Sequence, residues 1–330
     1  MSDHLAALVT EYGRPEDVIR LARMPCPELQ PGMIEIAVDR AAINPSDLIP
    51  VTGAYRNRTV LPFVPGFEGT GTISRVAPDV TGFKPGDRVL PLGASGLWQA
   101  VLQRPAEWCF AVPADLSAEQ AATAYINPMT TLRLISALQD HFGGVSSLAG
   151  VRIGVTAAGS AIGKMLLKTL TAQGADVTAI VRNESTASRL PALPGLRTLL
   201  TGQKPADQDR RFDAVADAVG GETGGSLLRH NLSAGGAFLQ YGALSGMPIA
   251  QSVLLARPDV RFSFLWLRTF VHSAGREALT HALAECFDGL REGPLASEIA
   301  ATYPLSRLAD ALKHQNAPDR RGKVLIDPRC

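Results

Sequence analysis

Small side chains cluster at residues 156–161, between a β-rich apolar run and a helical pattern. The run Val151–Val155 predicts a strand, and the spacing of apolar residues after Gly163 predicts a helix. In such a strand–turn–helix unit, small residues let backbone N–H groups and the positive helix end approach a pyrophosphate closely. The glycine fingerprint of these turns is incomplete here, because only Gly163 keeps its glycine and Ala158 and Ser160 occupy the first two positions.

Arg182 ends the next predicted strand, Val177–Val181, nineteen residues beyond Gly163. An acidic residue at this strand end would bind the ribose 2′-hydroxyl of NAD, whereas an arginine accommodates the 2′-phosphate of NADP. A later strand, Phe212–Val219, is also followed by glycines, which repeats the pattern of a doubly wound sheet. These residues predict an NADP(H) site. The alternative is that Arg182 is a solvated charge and the turn only a compact connection.

Composition and charge describe an ordinary globular chain. At 330 residues, with 46% hydrophobic and 19% charged residues, it is long enough for two domains with their own cores. A net charge of +1 gives no electrostatic case for nucleic acid or a membrane as a partner. The four cysteines lack CxxC spacing, so neither a zinc lobe nor a disulfide framework is expected. Without a secretory or membrane-spanning pattern, we expect a soluble cytoplasmic protein.

The order of predicted elements indicates two parts. Residues 5–112 consist of short apolar runs separated by proline and glycine, which predicts a first domain built of sheet. A capped helix then runs towards a break at Asn127-Pro128, which we interpret as a hinge, and a second helix is predicted over Met129–Leu138. After the strand–turn–helix core, an aromatic-rich strand is predicted over Val260–Leu267, followed by an amphipathic helix and a terminal strand over 322–326.

Five motifs resemble one known superfamily in their order and spacing: INPSD at 43–47, PGFEGTG at 65–71, GDRV at 86–89, AGSAIG at 158–163 and YGALSG at 241–246. The superfamily is that of the medium-chain dehydrogenases/reductases, in its zinc-free branch of NADPH:quinone reductases and 2-enoyl thioester reductases. The resemblance implies an α/β fold in which a doubly wound parallel-sheet (Rossmann) nucleotide-binding domain is inserted in a β-rich GroES-like catalytic domain. Residues 1–122 would begin the catalytic domain, 123–264 would bind NADP, and 265–330 would complete the catalytic domain.

Two positions separate this chain from the zinc-dependent members of that superfamily. Where those members carry a cysteine and a histidine, this chain has Asn44 and Phe67. A catalytic zinc needs three nitrogen, sulfur or oxygen ligands from the protein, and phenylalanine offers none. We therefore expect no metal. The charge that develops on a substrate oxygen must then be stabilised by hydrogen-bond donors.

Tyr55 is the candidate proton donor. In NPSDLIPVTGAY it stands where the enoyl thioester reductases that this chain resembles have a proton-donating tyrosine. A phenol is protonated at neutral pH, as a donor to a forming enolate must be. The alternative is a loop tyrosine that packs beneath the barrel rim, and the neighbouring Arg56 and Arg58 could equally orient an acidic substrate. Asn44 is the second candidate catalytic residue.

The resemblance also implies which residues bind the cofactor. The pyrophosphate turn comprises Gly159, Ser160, Ala161, Ile162 and Gly163, and the strand end at the 2′-phosphate comprises Arg182 and Asn183. The segment beside the cofactor comprises Tyr241, Gly242, Ala243 and Leu244, and the wall against the nicotinamide comprises Leu265, Trp266 and Leu267. Two single positions complete the set, namely Asn127, near the nicotinamide, and Lys323. Two of these have alternatives. Trp266 could be a core aromatic residue, and Lys323 could be a solvated charge at a strand edge.

The implied function is the NADPH-dependent reduction of a small-molecule substrate, either a quinone or an activated C=C bond. Both make the same electronic demand, since hydride reaches an electrophilic carbon and negative charge moves onto a conjugated oxygen. The alternative is a non-catalytic protein that binds NADPH as a redox sensor or a structural component. We also expect a homodimer, because relatives pair the edge strands of their nucleotide-binding domains and the stretch Val260–Leu267 lies where such a strand would be.

Overall fold

The computed structural model describes residues 3–203 and 211–329 of the chain. The chain divides into two compact units. The first unit contains the residues up to Ile126, Val271–Arg291 and the residues from Ala296 onwards. The second unit contains Asn127–Phe270 and Glu292–Leu295. The chain therefore returns to its first unit at Val271, whereas the sequence places this return at residue 265.

The regular elements follow one another along the whole chain. The strands are β1 (His4–Val9), β2 (Ile19–Met24), β3 (Met33–Ala42), β4 (Gly69–Val76), β5 (Arg88–Pro91), β6 (Val101–Pro105), β7 (Cys109–Ala111), β8 (Arg152–Thr156), β9 (Asp176–Val181), β10 (Arg197–Leu200), β11 (Phe212–Asp217), β12 (Leu232–Gln240), β13 (Arg261–Phe264), β14 (Ile299–Pro304) and β15 (Lys323–Asp327). The α-helices are α1 (Pro15–Val18), α2 (Pro45–Leu48), α3 (Ala118–Ala121), α4 (Ile126–His141), α5 (Ala161–Ala172), α6 (Glu184–Ala187), α7 (Gly221–Ser226), α8 (Gln251–Leu255), α9 (Leu267–Ser273), α10 (Arg276–Glu292) and α11 (Leu308–Gln315). None of the described helices combines the length and the apolarity that crossing a membrane requires.

The first unit is built on β-sheet. Its larger sheet has the strand order β14-β15-β3-β4-β5-β7, and β6 pairs with β3. Strand β3 is antiparallel to β4, β6 and β15, so the C-terminal strand is held directly against the strand that precedes the INPSD motif. Strands β1 and β2 form a separate antiparallel pair. Trp98, Ile43 and Val51 are fully buried in the apolar core of this unit.

Gly66 allows the PGFEG loop to lie against Trp98. It has a φ of +97°, and an added Cβ would lie 2.5 Å from Trp98 Cδ1. Trp98 donates its indole N–H to the carbonyl oxygen of Ala42 (3.2 Å), and Ala42 donates its own N–H to the carbonyl oxygen of Glu68 (2.9 Å). Glycine tolerates both this backbone conformation and this close approach. The loop is therefore fixed where it delivers Glu68 to the end of β3.

The second unit is a doubly wound sheet, as the sequence predicts. Its six strands are parallel and have the order β10-β9-β8-β11-β12-β13. The chain runs outwards from β8 in one direction and from β11 in the other, so the strand order reverses between these two neighbours. Ligands of such sheets bind beyond the carboxyl ends of the strands at the point of reversal. The apolar face of α5, with Leu166, Leu167 and Leu170, is buried against this sheet.

Two predicted elements are wrong in extent. The strand predicted over Val260–Leu267 is confined to β13, and Leu267 begins α9. The break predicted at Asn127-Pro128 lies earlier, over residues 122–125, and both residues belong to the first turn of α4. Proline is accepted there because the first N–H groups of a helix have no partner within the helix.

Candidate active site

Asn44, in the INPSD segment, is the N-cap of helix α2. It precedes Pro45, which suits the first position of a helix, and its backbone N–H donates to Asp47 Oδ2 at 2.6 Å. The other carboxylate oxygen, Asp47 Oδ1, accepts the backbone N–H of Phe67 at 2.8 Å. The Asp47 side chain, which is fully buried, thereby fixes the PGFEG loop to helix α2.

A buried polar network joins Asn44, Glu68 and Lys323. Asn44 Nδ2 donates to Glu68 Oε2 at 2.8 Å, and Lys323 Nζ donates to Asn44 Oδ1. Lys323 Nζ also lies 3.7 Å from Glu68 Oε2, which makes an ion pair. The three residues lie just after β3, just before β4 and at the first position of β15, which are neighbouring strands. Both ends of the Asn44 amide are therefore already bound.

Glu68 also fixes the start of α4. Its second oxygen, Oε1, accepts the backbone N–H groups of Tyr125 (3.0 Å) and Ile126 (2.7 Å). A carboxylate at the start of a helix satisfies N–H groups that have no partner within the helix and interacts favourably with the helix dipole. This contact explains why the helix begins at Ile126 rather than after Asn127-Pro128.

Burial shifts the pKa of Asp47 and of Lys323. Burial raises the pKa of Asp47 to about 7. The backbone N–H groups of Asn44 and Phe67 and the charge of Lys323 oppose this rise, because they favour the ionised form. Burial also lowers the pKa of Lys323, against the attraction of Glu68 and Asp47. A proton on Asp47 is therefore exchangeable near neutral pH.

The network corrects one interpretation and adds two residues. The alternative that Lys323 is a solvated charge is wrong, because its side chain is buried and bonded within the first unit. Asp47 and Glu68 belong to the INPSD and PGFEGTG motifs but were not predicted as site residues. The available signal was chemical: each is a lone carboxylate in a segment of proline, glycine and apolar residues, where burial requires a partner.

Tyr55 lies in a turn that follows α2, half-buried. Its ring lies under the guanidinium of Arg58, 6.0 Å from ring centroid to Cζ, and its carbonyl oxygen accepts the N–H groups of Arg58 and Thr59. Tyr12 ties this turn to the sheet, since its hydroxyl donates to the Thr59 carbonyl oxygen at 2.6 Å. The ring and backbone of Tyr55 are thus held in a turn with two arginines.

The donor atoms at positions 44 and 67 do not suit a metal. Phe67 contributes only its backbone N–H, and the Asn44 amide is bound at both ends. In the described ranges, 3–203 and 211–329, no group of three or more histidine, cysteine, aspartate or glutamate residues could hold a metal ion.

The small-residue turn of the second unit follows β8 at the reversal point. Ala157 has a φ of +47°, in the left-handed region that residues other than glycine seldom adopt. Ser160 is the N-cap of α5, and its Oγ accepts the Gly163 N–H at 3.1 Å. A Cβ on Gly163 would lie 2.6 Å from the carbonyl oxygens of Ala157 and Ala158, so only glycine fits between this helix and the strand end. These features form a tight turn that leads directly into the start of α5.

Thr156 and Asp217 join the two central strands beside this turn. Thr156 Oγ1 donates to Asp217 Oδ1 at 2.7 Å and accepts the Ala218 N–H at 2.8 Å. Asp217 Oδ2 accepts the Gly220 N–H at 2.8 Å. Both side chains are buried, and their hydrogen bonds hold the carboxyl ends of β8 and β11 together.

Arg182 and Asn183 lie next to each other but are differently engaged. Arg182 is exposed at the end of β9, one strand away from the turn. Asn183 is the N-cap of α6, and its Oδ1 accepts both the backbone N–H and the hydroxyl of Thr186 at 2.9 Å. The Arg182 guanidinium is therefore exposed to solvent, whereas the Asn183 side chain is bonded to Thr186.

The segment after β12 combines a buried hydroxyl with exposed apolar side chains. Tyr241 Oη is buried and has no hydrogen-bond partner among the described residues, and burial together with the nearby Asp217 raises its pKa. An unsatisfied buried donor costs about 1–3 kcal/mol, so a polar group that reaches it is favoured. Gly242 packs against Ala218, where a Cβ would lie 2.7 Å from the carbonyl oxygen. Leu244 is 59% exposed.

The remaining predicted residues lie in the second unit at the ends of its elements. Asn127 is buried in the first turn of α4. Leu265 packs against the core of the sheet and donates its N–H to the Gln240 carbonyl oxygen at 2.8 Å. Trp266 lies under the guanidinium of Arg268 (5.8 Å), and Leu267 opens α9. Their contact with a cofactor remains a prediction.

Comparison with known proteins agrees with this architecture. The model for the alcohol dehydrogenase GroES-like domain matches residues 30–114, and that for zinc-binding dehydrogenase matches residues 173–326. The mitochondrial enoyl-[acyl-carrier-protein] reductase of Homo sapiens is 26% identical over 97% of this chain and 88% of its own length. A mycobacterial quinone oxidoreductase is 26% identical, with a TM-score of 0.79 over 98% of this chain and 100% of that one. A mycobacterial protein solved with NADPH is 25% identical, with a TM-score of 0.82 over the same shares.

A GroES-like domain interrupted by a parallel, doubly wound domain defines a class of oxidoreductases. This chain belongs to the medium-chain dehydrogenase/reductase superfamily, in its branch of quinone and enoyl reductases. It is an enzyme of that class.

Proposed function

We propose that this enzyme is an NADPH-dependent, zinc-independent reductase that transfers hydride to a quinone or to a C=C bond conjugated to a carbonyl group. The observation that carries the proposal is the turn at the reversal point, capped by Ser160, with the exposed Arg182 at the end of the neighbouring strand. Relatives named as enoyl and quinone reductases, similar over nearly the whole chain, support the reaction class. They also favour turnover over a purely structural or sensing role.

The second unit fits the cofactor. When bound, NADPH would supply the hydride. The first N–H groups of α5 would hold the pyrophosphate, because the closely packed Gly163 keeps this helix start near the strand end. Arg182 would bind the 2′-phosphate, where a guanidinium can form two charge-assisted hydrogen bonds. The unsatisfied Tyr241 hydroxyl and the exposed Leu244 fit a ligand with polar and apolar parts.

The first unit supplies the proton and the fixed framework. Tyr55 would donate its phenolic proton to the carbon or oxygen that carries negative charge after hydride transfer. Asn44 would act as a positioning residue, because its amide is bound at both ends by Glu68 and Lys323. Quinone reduction can take its protons from water, so Tyr55 matters most for the reduction of a C=C bond.

Zinc independence is supported by ligand chemistry. Phenylalanine at position 67 has no donor atom, and the Asn44 amide already makes two hydrogen bonds. Metal analysis of the active enzyme should find no stoichiometric zinc. Activity lost to a chelator and restored by zinc would contradict this part of the proposal.

The homodimer is supported by the edge strand β13. It is the last strand of the sheet, and its Phe262 and Phe264 are 37% and 57% exposed. An uncovered edge with apolar side chains is a site for pairing with a second copy. Light scattering should give a dimer mass at micromolar concentration, and a monomer mass would contradict the pairing.

A substrate panel tests the function. Purified enzyme is mixed with NADPH and, in separate assays, with quinones, crotonyl thioesters and simple enones, and the loss of NADPH absorbance is followed. The proposal predicts turnover with at least one of these compounds. Binding of NADPH, seen as a fluorescence change, without turnover on any compound would favour the non-catalytic alternative.

A further inference from the structure

A second group of reactive side chains lies in the first unit, at the start of β1 and after β2. Cys26 Sγ lies 3.5 Å from His4 Nδ1, and His4 Nε2 lies 3.0 Å from Gln99 Oε1. The backbones of Ala6 and Gln99 pair in a β-bridge, which keeps the strand of His4 beside Gln99. None of these three residues belongs to the network of Asn44, Glu68 and Lys323 or to the proposed cofactor site.

The hydrogen bonds of Gln99 determine which nitrogen of His4 carries the proton. Gln99 Nε2 donates to the Gly96 carbonyl oxygen at 2.7 Å, so Oε1 is the atom that faces His4. An amide oxygen can only accept, and His4 Nε2 must therefore donate. In a neutral imidazole the other nitrogen, Nδ1, is then an acceptor, and it faces the Cys26 thiol.

This arrangement has the parts of an activated nucleophile. A thiol lies within reach of a base, and a third group orients the base, which is the general geometry of cysteine nucleophiles. Cys26 is half-buried and thus reachable by small molecules, whereas His4 is 8% exposed and held in place. The other described cysteines, Cys109 and Cys286, are fully buried.

We propose that Cys26, His4 and Gln99 form a modification site at which the Cys26 thiol adds to soft electrophiles, namely α,β-unsaturated carbonyl compounds and quinones. His4 Nδ1 accepts the thiol proton, and the Cys26 sulfur attacks the β-carbon, so that a C–S bond forms. The electron pair of the C=C bond moves onto the carbonyl oxygen, and the resulting enolate takes back one proton from the imidazolium or from water. The step is an addition, so it needs neither an oxidant nor NADPH.

One charged pair, Arg75 with Glu35, lies near Cys26. The guanidinium of Arg75 interacts electrostatically with Cys26, and its positive charge favours the thiolate. Arg75 is in turn paired with Glu35, whose pKa this pairing lowers. The pair brings almost no net charge to the site, and His4 is the base that contacts the thiol.

The test measures alkylation of Cys26 by N-ethylmaleimide, a conjugate acceptor, without NADPH. The Cys330→Ser background removes the terminal cysteine, and peptide mass mapping identifies the modified residue. We expect Cys26 to react first, and His4→Gln to slow its modification by about tenfold at pH 7, since an unassisted thiol is only a few per cent ionised there. The profile of rate against pH should move to higher pH in His4→Gln. Gln99→Leu, which leaves His4 unoriented, should slow the reaction less.

His281→Gln is the matched control, because His281 is an exposed histidine in the same unit, on α10. It should leave the rate and the pH profile of Cys26 unchanged. Thermal unfolding of each variant establishes that it is folded. A folded His4→Gln variant with the wild-type rate and pH profile would overturn the proposal, and so would a Cys26 that is not modified in the folded protein. Neither result would bear on hydride transfer, which is assayed separately with NADPH.

Discussion

Lys323 Nζ lies 3.7 Å from Glu68 Oε2, and both side chains are buried, the glutamate completely. Asn44 bridges the two by one hydrogen bond to each. The lysine opens the C-terminal strand β15, whereas the glutamate belongs to the PGFEG loop, so one ion pair ties the end of the chain to the motif segments near its start. Burying two charges is costly, and it is tolerated here because each charge has several partners.

Glu68→Gln should destabilise the enzyme strongly, because it leaves the Lys323 charge without its ionic partner. We expect the free energy of unfolding, measured by urea denaturation, to fall by about 3–5 kcal/mol. Lys323→Met should also be destabilising, since it leaves Glu68 uncompensated. The double variant Glu68→Gln/Lys323→Met should be clearly more stable than the sum of the two single effects predicts. Simple additivity would contradict the coupling.

Asp47 should make stability depend on pH in a defined direction. Its pKa in the folded chain is about 7, whereas an unfolded aspartate titrates near about 4. Between these two pKa values the folded chain holds a proton that the unfolded chain has released, so protonation of Asp47 stabilises the folded state. This stabilisation is complete below about pH 4 and is lost as the pH rises through about 7. Asp47→Asn lacks this titration. The stability of the wild type relative to Asp47→Asn should therefore decrease from about pH 5 to about pH 8, and a constant difference would show that the carboxyl does not titrate there.

Arg182→Ala should weaken the binding of NADPH and leave that of NADH unchanged. Loss of a charge-assisted contact to the 2′-phosphate is expected to cost about 1.5–3 kcal/mol, or roughly 10- to 100-fold in Kd. Fluorescence titration with both cofactors measures this. Arg261→Ala is a suitable control, since Arg261 is an exposed arginine of the same unit on β13. Equal affinity of the wild type for the two cofactors would refute the assignment of Arg182.

Much of the second unit could be predicted from the sequence, because its signals are local. The strand before Thr156, the small-residue turn and the arginine after the next strand lie within one short stretch, and neighbouring residues determine them. The network of the first unit could not be predicted in this way. Lys323 meets Asn44 only because β15 pairs with β3, and the start of α4 depends on a carboxylate that lies far away in the sequence. Such contacts are properties of tertiary pairing and leave no periodic pattern.

Tyr55→Phe should slow chemistry without weakening cofactor binding. The substitution removes the phenolic proton and keeps the ring that lies under Arg58. With an enone substrate, we expect kcat to fall by roughly 10²–10⁴-fold, the usual range for one general acid, while the Kd for NADPH stays constant. Tyr55→Ala serves as the comparison for packing. If Tyr55 only packs, the Phe variant keeps the wild-type kcat and the Ala variant loses thermal stability.

Transfer of label from NADPH to product tests the central claim most directly. The enzyme is supplied with NADPH deuterated at C4 on the transferred face and with a crotonyl thioester, an enone or a quinone. For a C=C substrate, the account predicts one NADPH oxidised per product formed, with deuterium on the β-carbon of the saturated product. For a quinone, it predicts the same stoichiometry of NADPH to hydroquinone. NADPH that binds but is not oxidised in the presence of any of these compounds would contradict the assignment of a reductase.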